Sequence, residues 1–107
     1  MFIPIEVEDY KRRFVDSGEP HLLLDVRTPE EFVEIRIPGA QLIPLDELDT
    51  RAGEIPADLP VVVVCRTGVR SVMAIQMLRL AGMQGDLFNL EGGTRDWALS
   101  GHPVEQG

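Results

Sequence analysis

The strongest hydrophobic signal in the chain is one apolar strand followed by an apolar helix. Val61–Val64 are four consecutive β-branched residues, a run typical of a parallel strand that is buried on both faces. Eight of the ten positions from 72 to 81 are apolar, which predicts a helix over 71–81 that is mostly covered by protein. Gly82 is suited to end this helix. The central pattern is therefore strand, short turn and helix.

The rest of the chain alternates between the two patterns. We predict further helices over 6–17, 46–52 and 94–100, with Asp46 and Thr94 as caps of the last two, and strands over 21–26, 40–44 and 86–90. Another helix begins at Thr28-Pro29-Glu30-Glu31, where threonine and glutamate form a capping box around a proline at the first helical position. Alternating strands and helices predict a parallel α/β fold in one domain over 1–107.

Cys65, the only cysteine, lies directly after the valine strand. Residues 66–70 contain no proline, so their N–H groups and those of the first helical turn lack intrahelical partners and can surround the sulfur. The positive end of the helix dipole, Arg66 and Arg70 add positive charge, and Gly68 permits a left-handed backbone angle. Cysteines in such surroundings have pKa values of about 3.5 to 7.5. We interpret Cys65 as a nucleophile for an anionic substrate.

A lone cysteine after a valine run is more often a small core residue. The two arginines within five residues, in a strand–turn–helix context, favour the functional interpretation over the structural one.

Several blocks of the sequence occur together in one known family. They are Cys65-Arg66-Thr67-Gly68-Val69-Arg70-Ser71, the stretch from Leu23 to Phe32, Ile37-Pro38-Gly39-Ala40, and Leu90-Glu91-Gly92-Gly93 with Trp97. This series resembles the rhodanese-like sulfurtransferases and covers most of the chain. The resemblance implies a three-layer α/β/α fold with a central, mainly parallel sheet. Two departures are Ile35-Arg36, where the family usually has Gly-His, and Thr67, where thiosulfate-using members often carry a basic residue.

The resemblance also implies a reaction and a set of roles. Sulfane sulfur would move from thiosulfate or a related small anionic donor to cyanide or a thiol through a persulfide on Cys65. Substrate binding would fall to Arg66, Thr67, Gly68, Val69 and Arg70, with Asp25, Arg27 and Ser71 in support. Because the chain has no second cysteine to resolve the persulfide, we expect the acceptor to be an external thiol or a partner protein.

Two other functions are compatible with a reactive cysteine loop. A cysteine-dependent phosphatase or arsenate reductase typically has five residues between cysteine and arginine, whereas four separate Cys65 from Arg70. This shorter loop favours a sulfur atom over a tetrahedral phosphoryl group. The second alternative is a sulfur-carrier or docking module that serves a desulfurase or a thiolation enzyme.

Composition restricts the partners of the protein. A net charge of −8 over 107 residues argues against nucleic acid, and no apolar run is long enough to span a membrane. One cysteine and two histidines, His21 and His102, which we expect in exposed loops, provide no metal-ligand spacing, and we expect no cofactor. The N-terminus lacks the pattern of a secretory signal, so we expect a cytoplasmic protein in which the thiol stays reduced.

Overall fold

The computed structural model describes all 107 residues, and its centre is a sheet of five strands. The strands are β1 (Ile3–Glu6), β2 (Leu22–Asp25), β3 (Gln41–Leu42), β4 (Val61–Val64) and β5 (Leu87–Glu91). Their order is β1-β5-β4-β2-β3, and every neighbouring pair is parallel. The valine strand β4 is central, as its continuous apolar run predicts.

Helices connect the strands. They are α1 (Val7–Tyr10), which continues as a π-helical segment (Lys11–Asp16), α2 (Pro29–Glu34), α3 (Leu48–Arg51) between 3₁₀ turns at Leu45–Glu47 and Ala52–Glu54, α4 (Val69–Leu80) and α5 (Gly93–Leu99). The predicted capping box of α2 is present, with Thr28 and Glu31 bonded reciprocally. None of the helices combines the length and apolar character that a bilayer crossing requires.

Two buried clusters lie on opposite faces of the sheet. Successive strand residues point to alternate faces, so Val61 and Val63 join the cluster that contains α3 and α4 side chains, and Val62 and Val64 join the one that contains Trp97 of α5. Burying each valine contributes about 1.5 to 3 kcal/mol relative to exposure. Helices on both faces confirm the three-layer α/β/α fold of the rhodanese-like proteins.

Strand β1 was not anticipated from the sequence. It is a four-residue edge strand that contains Pro4, and it pairs with β5 immediately before α1. Proline is tolerated at a sheet edge because it has no N–H to donate to a neighbouring strand. The apolar pattern of so short a segment is too weak to predict a strand.

Two predicted helix caps are wrong. Asp46 lies within a 3₁₀ turn and makes no capping hydrogen bond. Thr94 lies inside α5, whose N-cap is Gly92. No side-chain cap is needed at α5 because carbonyl groups of a neighbouring loop accept from its first N–H groups.

We expected both histidines in exposed loops, but neither side chain is exposed. His21 is half-buried between the Tyr10 hydroxyl, 2.8 Å from Nε2, and the Glu19 carbonyl, 2.8 Å from Nδ1. His102 is half-buried, packs against Trp97 with the two rings tilted, and lies 2.9 Å from a Glu8 carboxylate oxygen. Both rings therefore serve to join segments of the fold.

Candidate active site

The candidate site is at the carboxyl end of the sheet, where β4 turns into α4. Cys65 follows the last residue of β4, and Asp25 lies beside that residue at the end of β2. On the other side of β4, β5 ends at Glu91. Ligand sites of parallel α/β sheets lie at this end, so the structure brings the predicted residues together where the topology favours a site.

The loop is oriented by hydrogen bonds from the first turn of α5. The Thr94 N–H donates to the Cys65 carbonyl at 2.9 Å, and the Arg95 N–H donates to the Arg66 carbonyl at 3.0 Å. In a planar trans peptide the N–H points opposite to the C=O. The N–H groups of Arg66 and Thr67 therefore point away from α5.

Backbone N–H groups after Cys65 and the Ser71 hydroxyl stabilise the sulfur. Gly68 N–H donates to Cys65 Sγ at 3.0 Å, and Ser71 Oγ lies 3.4 Å from it. Burial raises the pKa of the Cys65 thiol, but hydrogen bonds from the Ser71 hydroxyl and from the N–H groups of Ser71, Gly68 and Thr67 hold the pKa below its ordinary value. The loop amides thus face the sulfur, although Cys65 is only 1% exposed.

Gly68 has the left-handed conformation that the sequence suggested. Its φ is +106°, and it is the N-cap residue of α4. This conformation directs its own N–H toward the sulfur and starts α4 at Val69, two residues before the predicted start. Thr67 and Val69, which flank this glycine, are exposed at the surface of the loop.

Asp25 and Arg27 form a buried ion pair below the loop. The Arg27 Nη2 lies 2.8 Å from Asp25 Oδ2, and its Nε donates to Asp25 Oδ1 at 3.0 Å. The same guanidinium donates to the Ile35 carbonyl at 2.7 Å, at the carboxyl end of α2. An arginine in this position satisfies carbonyls that the end of a helix leaves free. The pair joins β2 to α2.

Arg70 is engaged by a carboxylate that the sequence analysis assigned only to a helix cap. Its two terminal nitrogens donate to the two carboxylate oxygens of Glu31 at 2.7 and 2.9 Å. The hydrogen bond from Arg70 lowers the pKa of Glu31 to about 2, against the opposing effect of burial. The sequence analysis treated Arg70 as a free cation, but its guanidinium is paired with Glu31.

Two other cations are free. Arg66 and Arg95 are the only ones of the ten Lys and Arg side chains that make neither an ion pair nor a side-chain hydrogen bond. Both line a cleft of about 210 Å³ between α2 and α5, together with Thr94 and the carboxylates of Glu31 and Glu34. Sequence reasoning missed Arg95, because nothing in its local pattern places it beside the cysteine loop.

Asn89 is a second residue that the sequence analysis missed. It lies on β5, is 2% exposed, and accepts a short hydrogen bond from Ser71 through Oδ1. Its Nδ2 donates to Glu91 Oε2 at 2.6 Å and to the Gly68 carbonyl at 3.4 Å. The available signal was a polar residue between Phe88 and Leu90 in an otherwise apolar strand. No three His, Cys, Asp or Glu side chains converge as metal ligands.

Fold and site together define a parallel α/β domain that holds a thiol of lowered pKa in a loop of backbone amides. The family model for the rhodanese-like domain matches residues 6–100, and the chain belongs to this family. A sulfurtransferase from Allochromatium vinosum is 40% identical over 100 residues, covering 94% of this chain and 92% of that protein.

Two further relatives are longer than this chain. The putative sulfur carrier protein YrkF of Bacillus subtilis is 38% identical over 93 residues, which cover 87% of this chain and 49% of YrkF. The crystal structure of a thiosulfate sulfurtransferase from Pseudomonas aeruginosa superimposes with a TM-score of 0.87 at 29% identity, covering 99% of this chain and 20% of that chain. Sulfurtransferases and a putative sulfur carrier thus share this domain.

Proposed function

We propose that the protein transfers sulfane sulfur through a persulfide on Cys65, with thiosulfate or a related anion as donor. The Cys65 thiolate attacks the outer sulfur of thiosulfate, a new S–S bond forms, and the S–S bond of the donor breaks. Sulfite leaves with the electron pair, and the anionic persulfide stays in the loop. The observation that supports this step is the set of N–H groups directed at the sulfur, with Gly68 N at 3.0 Å.

The second step returns the enzyme to its starting state. An acceptor nucleophile attacks the outer persulfide sulfur, and Cys65 leaves as a thiolate that accepts the same hydrogen bonds. The chain has one cysteine, so an internal disulfide cannot discharge the persulfide. The acceptor is cyanide in an assay and an external thiol or a partner protein in the cell. A reducing, cytoplasmic setting fits a thiol that must remain reduced.

Capture of an anionic donor requires cations close to the loop. We assign it first to Arg66, with Arg95 beside it, because these guanidinium groups have no other partner and share one cleft. Arg70 contributes its charge through its pair with Glu31, and Thr67, Gly68 and Val69 contribute backbone. Asp25, Arg27 and Ser71 support the loop. No general base is required, because the hydrogen bonds themselves lower the pKa of the thiol.

A sulfur-carrier role is the second candidate. It is favoured by the similarity to the putative carrier YrkF, of which this chain matches about half. A carrier uses the same persulfide but receives its sulfur from a partner enzyme, not from a small donor. Negligible turnover of thiosulfate and cyanide, combined with persulfide formation by a purified cysteine desulfurase, would identify the carrier role.

Mass spectrometry of the intact protein tests the persulfide. Incubation with thiosulfate should add the mass of one sulfur atom, and cyanide should remove it. Cys65→Ala should abolish this gain, and so should Cys65→Ser, which keeps the size of the side chain but provides no sulfur. A sulfur mass that persists in either variant would exclude the proposed reaction.

A further inference from the structure

The side-chain amide of Asn89 has only one orientation that satisfies its neighbours. Nδ2 lies 2.6 Å from a carboxylate oxygen of Glu91 and 3.4 Å from the Gly68 carbonyl, and both are acceptors. Rotating the amide by half a turn would place Oδ1 against these two oxygens. The amide oxygen must therefore face Ser71.

This orientation determines where the Ser71 proton lies. An amide oxygen has no proton to donate, so the short contact between Ser71 Oγ and Asn89 Oδ1 requires the hydroxyl proton of Ser71. The same hydroxyl is 3.4 Å from Cys65 Sγ. The Ser71 hydroxyl has one proton and two possible acceptors, so it can donate a fully formed hydrogen bond to only one of them at a time.

We propose that Asn89, held by Glu91, is a positioning residue that competes with the Cys65 sulfur for the hydroxyl proton of Ser71. While Cys65 is a thiol, its S–H donates to Ser71 Oγ and Ser71 donates to Asn89. When the thiol loses its proton to solvent, the Ser71 O–H rotates from Asn89 to the thiolate. No proton is transferred between the three side chains, and only the direction of one O–H bond changes.

The inference deepens the proposed function, because it rests on Cys65 as the reacting group. In the second step of sulfur transfer Cys65 leaves as a thiolate, and rotation of the Ser71 hydroxyl stabilises it as the charge develops. The Ser71 O–H turns back to Asn89 when the sulfur is no longer charged. The contact is fully buried, since Ser71 is 0% and Asn89 2% exposed, so water does not replace either acceptor.

The charged groups around this thiol come from several elements. They are Arg66 of the loop, Arg70 of α4, the Asp25–Arg27 pair at the end of β2, Glu31 of α2 and Glu91 of β5. Substitution of Asn89 removes none of these charges, and the loss of its hydrogen bond to Glu91 acts whether or not Ser71 is present. A change in thiol titration that depends on Ser71 therefore reports the hydroxyl and not this background.

Ultraviolet absorbance of the thiolate, followed against pH, tests the competition without requiring a reagent to reach the buried sulfur. The chain has one cysteine and one tyrosine, and burial raises the pKa of Tyr10, so its phenol does not obscure the signal. Ser71→Ala should raise the midpoint by about one pH unit, because a donor to the thiolate is lost. Asn89→Leu should lower it by about one unit, because Ser71 is released to the sulfur.

The double variant separates competition from simple loosening of the loop. Asn89→Leu also removes a contact to Gly68, and that loss acts whether or not Ser71 is present. In the Ser71→Ala background Asn89→Leu should therefore no longer lower the midpoint. An upward shift from Asn89→Leu alone, or an equal downward shift in both backgrounds, would overturn the proposal.

If Asn89→Leu prevents folding, Glu91→Gln is the alternative variant, because it changes a side chain that is only half-buried. A neutral glutamine oxygen accepts from Asn89 Nδ2 less strongly than a carboxylate does, so Asn89 Oδ1 becomes a weaker acceptor for the Ser71 proton. The matched control is Glu6→Gln, since Glu6 is exposed beside Glu91 on β1 and its loss removes the same charge. Glu91→Gln should lower the midpoint of the thiol titration more than Glu6→Gln does. This difference should disappear in the Ser71→Ala background. Equal shifts would overturn the proposal.

The outcomes for the two proposals are distinct. Titration of the thiol requires no donor, so the competition between Asn89 and the sulfur is measured even in a protein that forms no persulfide. Conversely, the wild-type protein could form a persulfide while its thiol titration shows no dependence on Asn89. That result would exclude the positioning role of Asn89 and leave sulfur transfer supported.

Discussion

At the scale of single residues, Cys65 is stabilised as a thiolate by neutral hydrogen-bond donors more than by cations. Burial raises the pKa of the thiol, and donors from Ser71, Gly68 and Thr67 lower it further than burial raises it. A hydrogen bond to a charged group contributes about 1.5 to 3 kcal/mol, so several of them outweigh partial desolvation. The sequence analysis counted the charges of Arg66 and Arg70 among the causes; Arg70 does attract the thiolate, but the hydrogen-bond donors are the leading causes of the lowered pKa.

Glu31 gives a prediction at the same scale. Its pKa in the folded protein is about 2, below the ordinary 4.5, so the folded state holds its proton less tightly than the unfolded chain. The stability that this carboxylate contributes is complete above about pH 4.5 and is lost as the pH falls toward 2. Denaturant unfolding measured over this range should show a shallower acid loss for Glu31→Gln than for wild type.

The neighbouring Glu30 provides the control for this prediction. It is exposed and has no ion-pair partner, so Glu30→Gln should follow the wild-type curve. Parallel curves for Glu31→Gln and wild type would mean that the pair with Arg70 contributes nothing to stability.

At the scale of elements, the cysteine loop depends on the start of α5. The first N–H groups of α5 donate to the loop carbonyls, and this turns the opposite N–H groups of the loop toward the sulfur. The approach requires Gly93, because a Cβ at this position would overlap the carbonyl groups of Cys65 and Arg66. Gly93 also has a φ of +59°, which disfavours any other residue.

Gly93→Ala should therefore affect both stability and the thiol. The left-handed backbone alone costs about 1 to 2 kcal/mol with a side chain present. Displacement of the loop should add to this loss and raise the thiol pKa toward its ordinary value. Denaturant unfolding and thiolate absorbance measure the two effects.

Gly101→Ala is the matched control. Gly101 has a φ of +82°, but nothing lies near its missing Cβ, so this variant carries the backbone cost alone. If both variants lose the same stability and leave the thiol pKa unchanged, the close contact between α5 and the loop is not required.

At the scale of the whole molecule, an anionic donor must approach a protein of net charge −8. Most cations are paired with carboxylates or bonded to carbonyl groups within the fold, and the two that are not, Arg66 and Arg95, line the same cleft beside the loop. Two carboxylates, Glu31 and Glu34, also line this cleft, and Glu31 is paired with Arg70. A local positive region within a negative surface selects for a small anion that can enter it, since interactions beyond about 10 Å are screened at 0.1 M salt.

Arg95→Gln tests this local attraction. We expect the KM for thiosulfate to rise by about two- to fivefold, the range for one exposed charge interaction, with kcat unchanged. Arg12→Gln removes the same charge from an exposed residue that is paired with Asp9, and it should leave KM unaltered. Added salt should reduce the difference. Equal effects of the two substitutions would show that net charge, and not the cleft, governs donor capture.

Much of the fold followed from local pattern. The valine run predicted the central strand because continuous apolar residues are needed where both faces of a sheet are covered. The Thr28–Glu31 box predicted the start of α2, since its two partners are three residues apart. β1 and the cap of α5 did not follow, because each depends on a partner from a distant segment.

The sequence by itself determined the central strand, the turn at Gly68 and the position of Cys65 before a helix, because these depend on residues that are adjacent in the chain. Only the tertiary structure decided which charges and donors act on the site. Arg70 meets Glu31 across 39 positions, and Ser71 meets Asn89 across 18. Such pairs form where packed strands and helices end together, and no local pattern records which side chains will meet there.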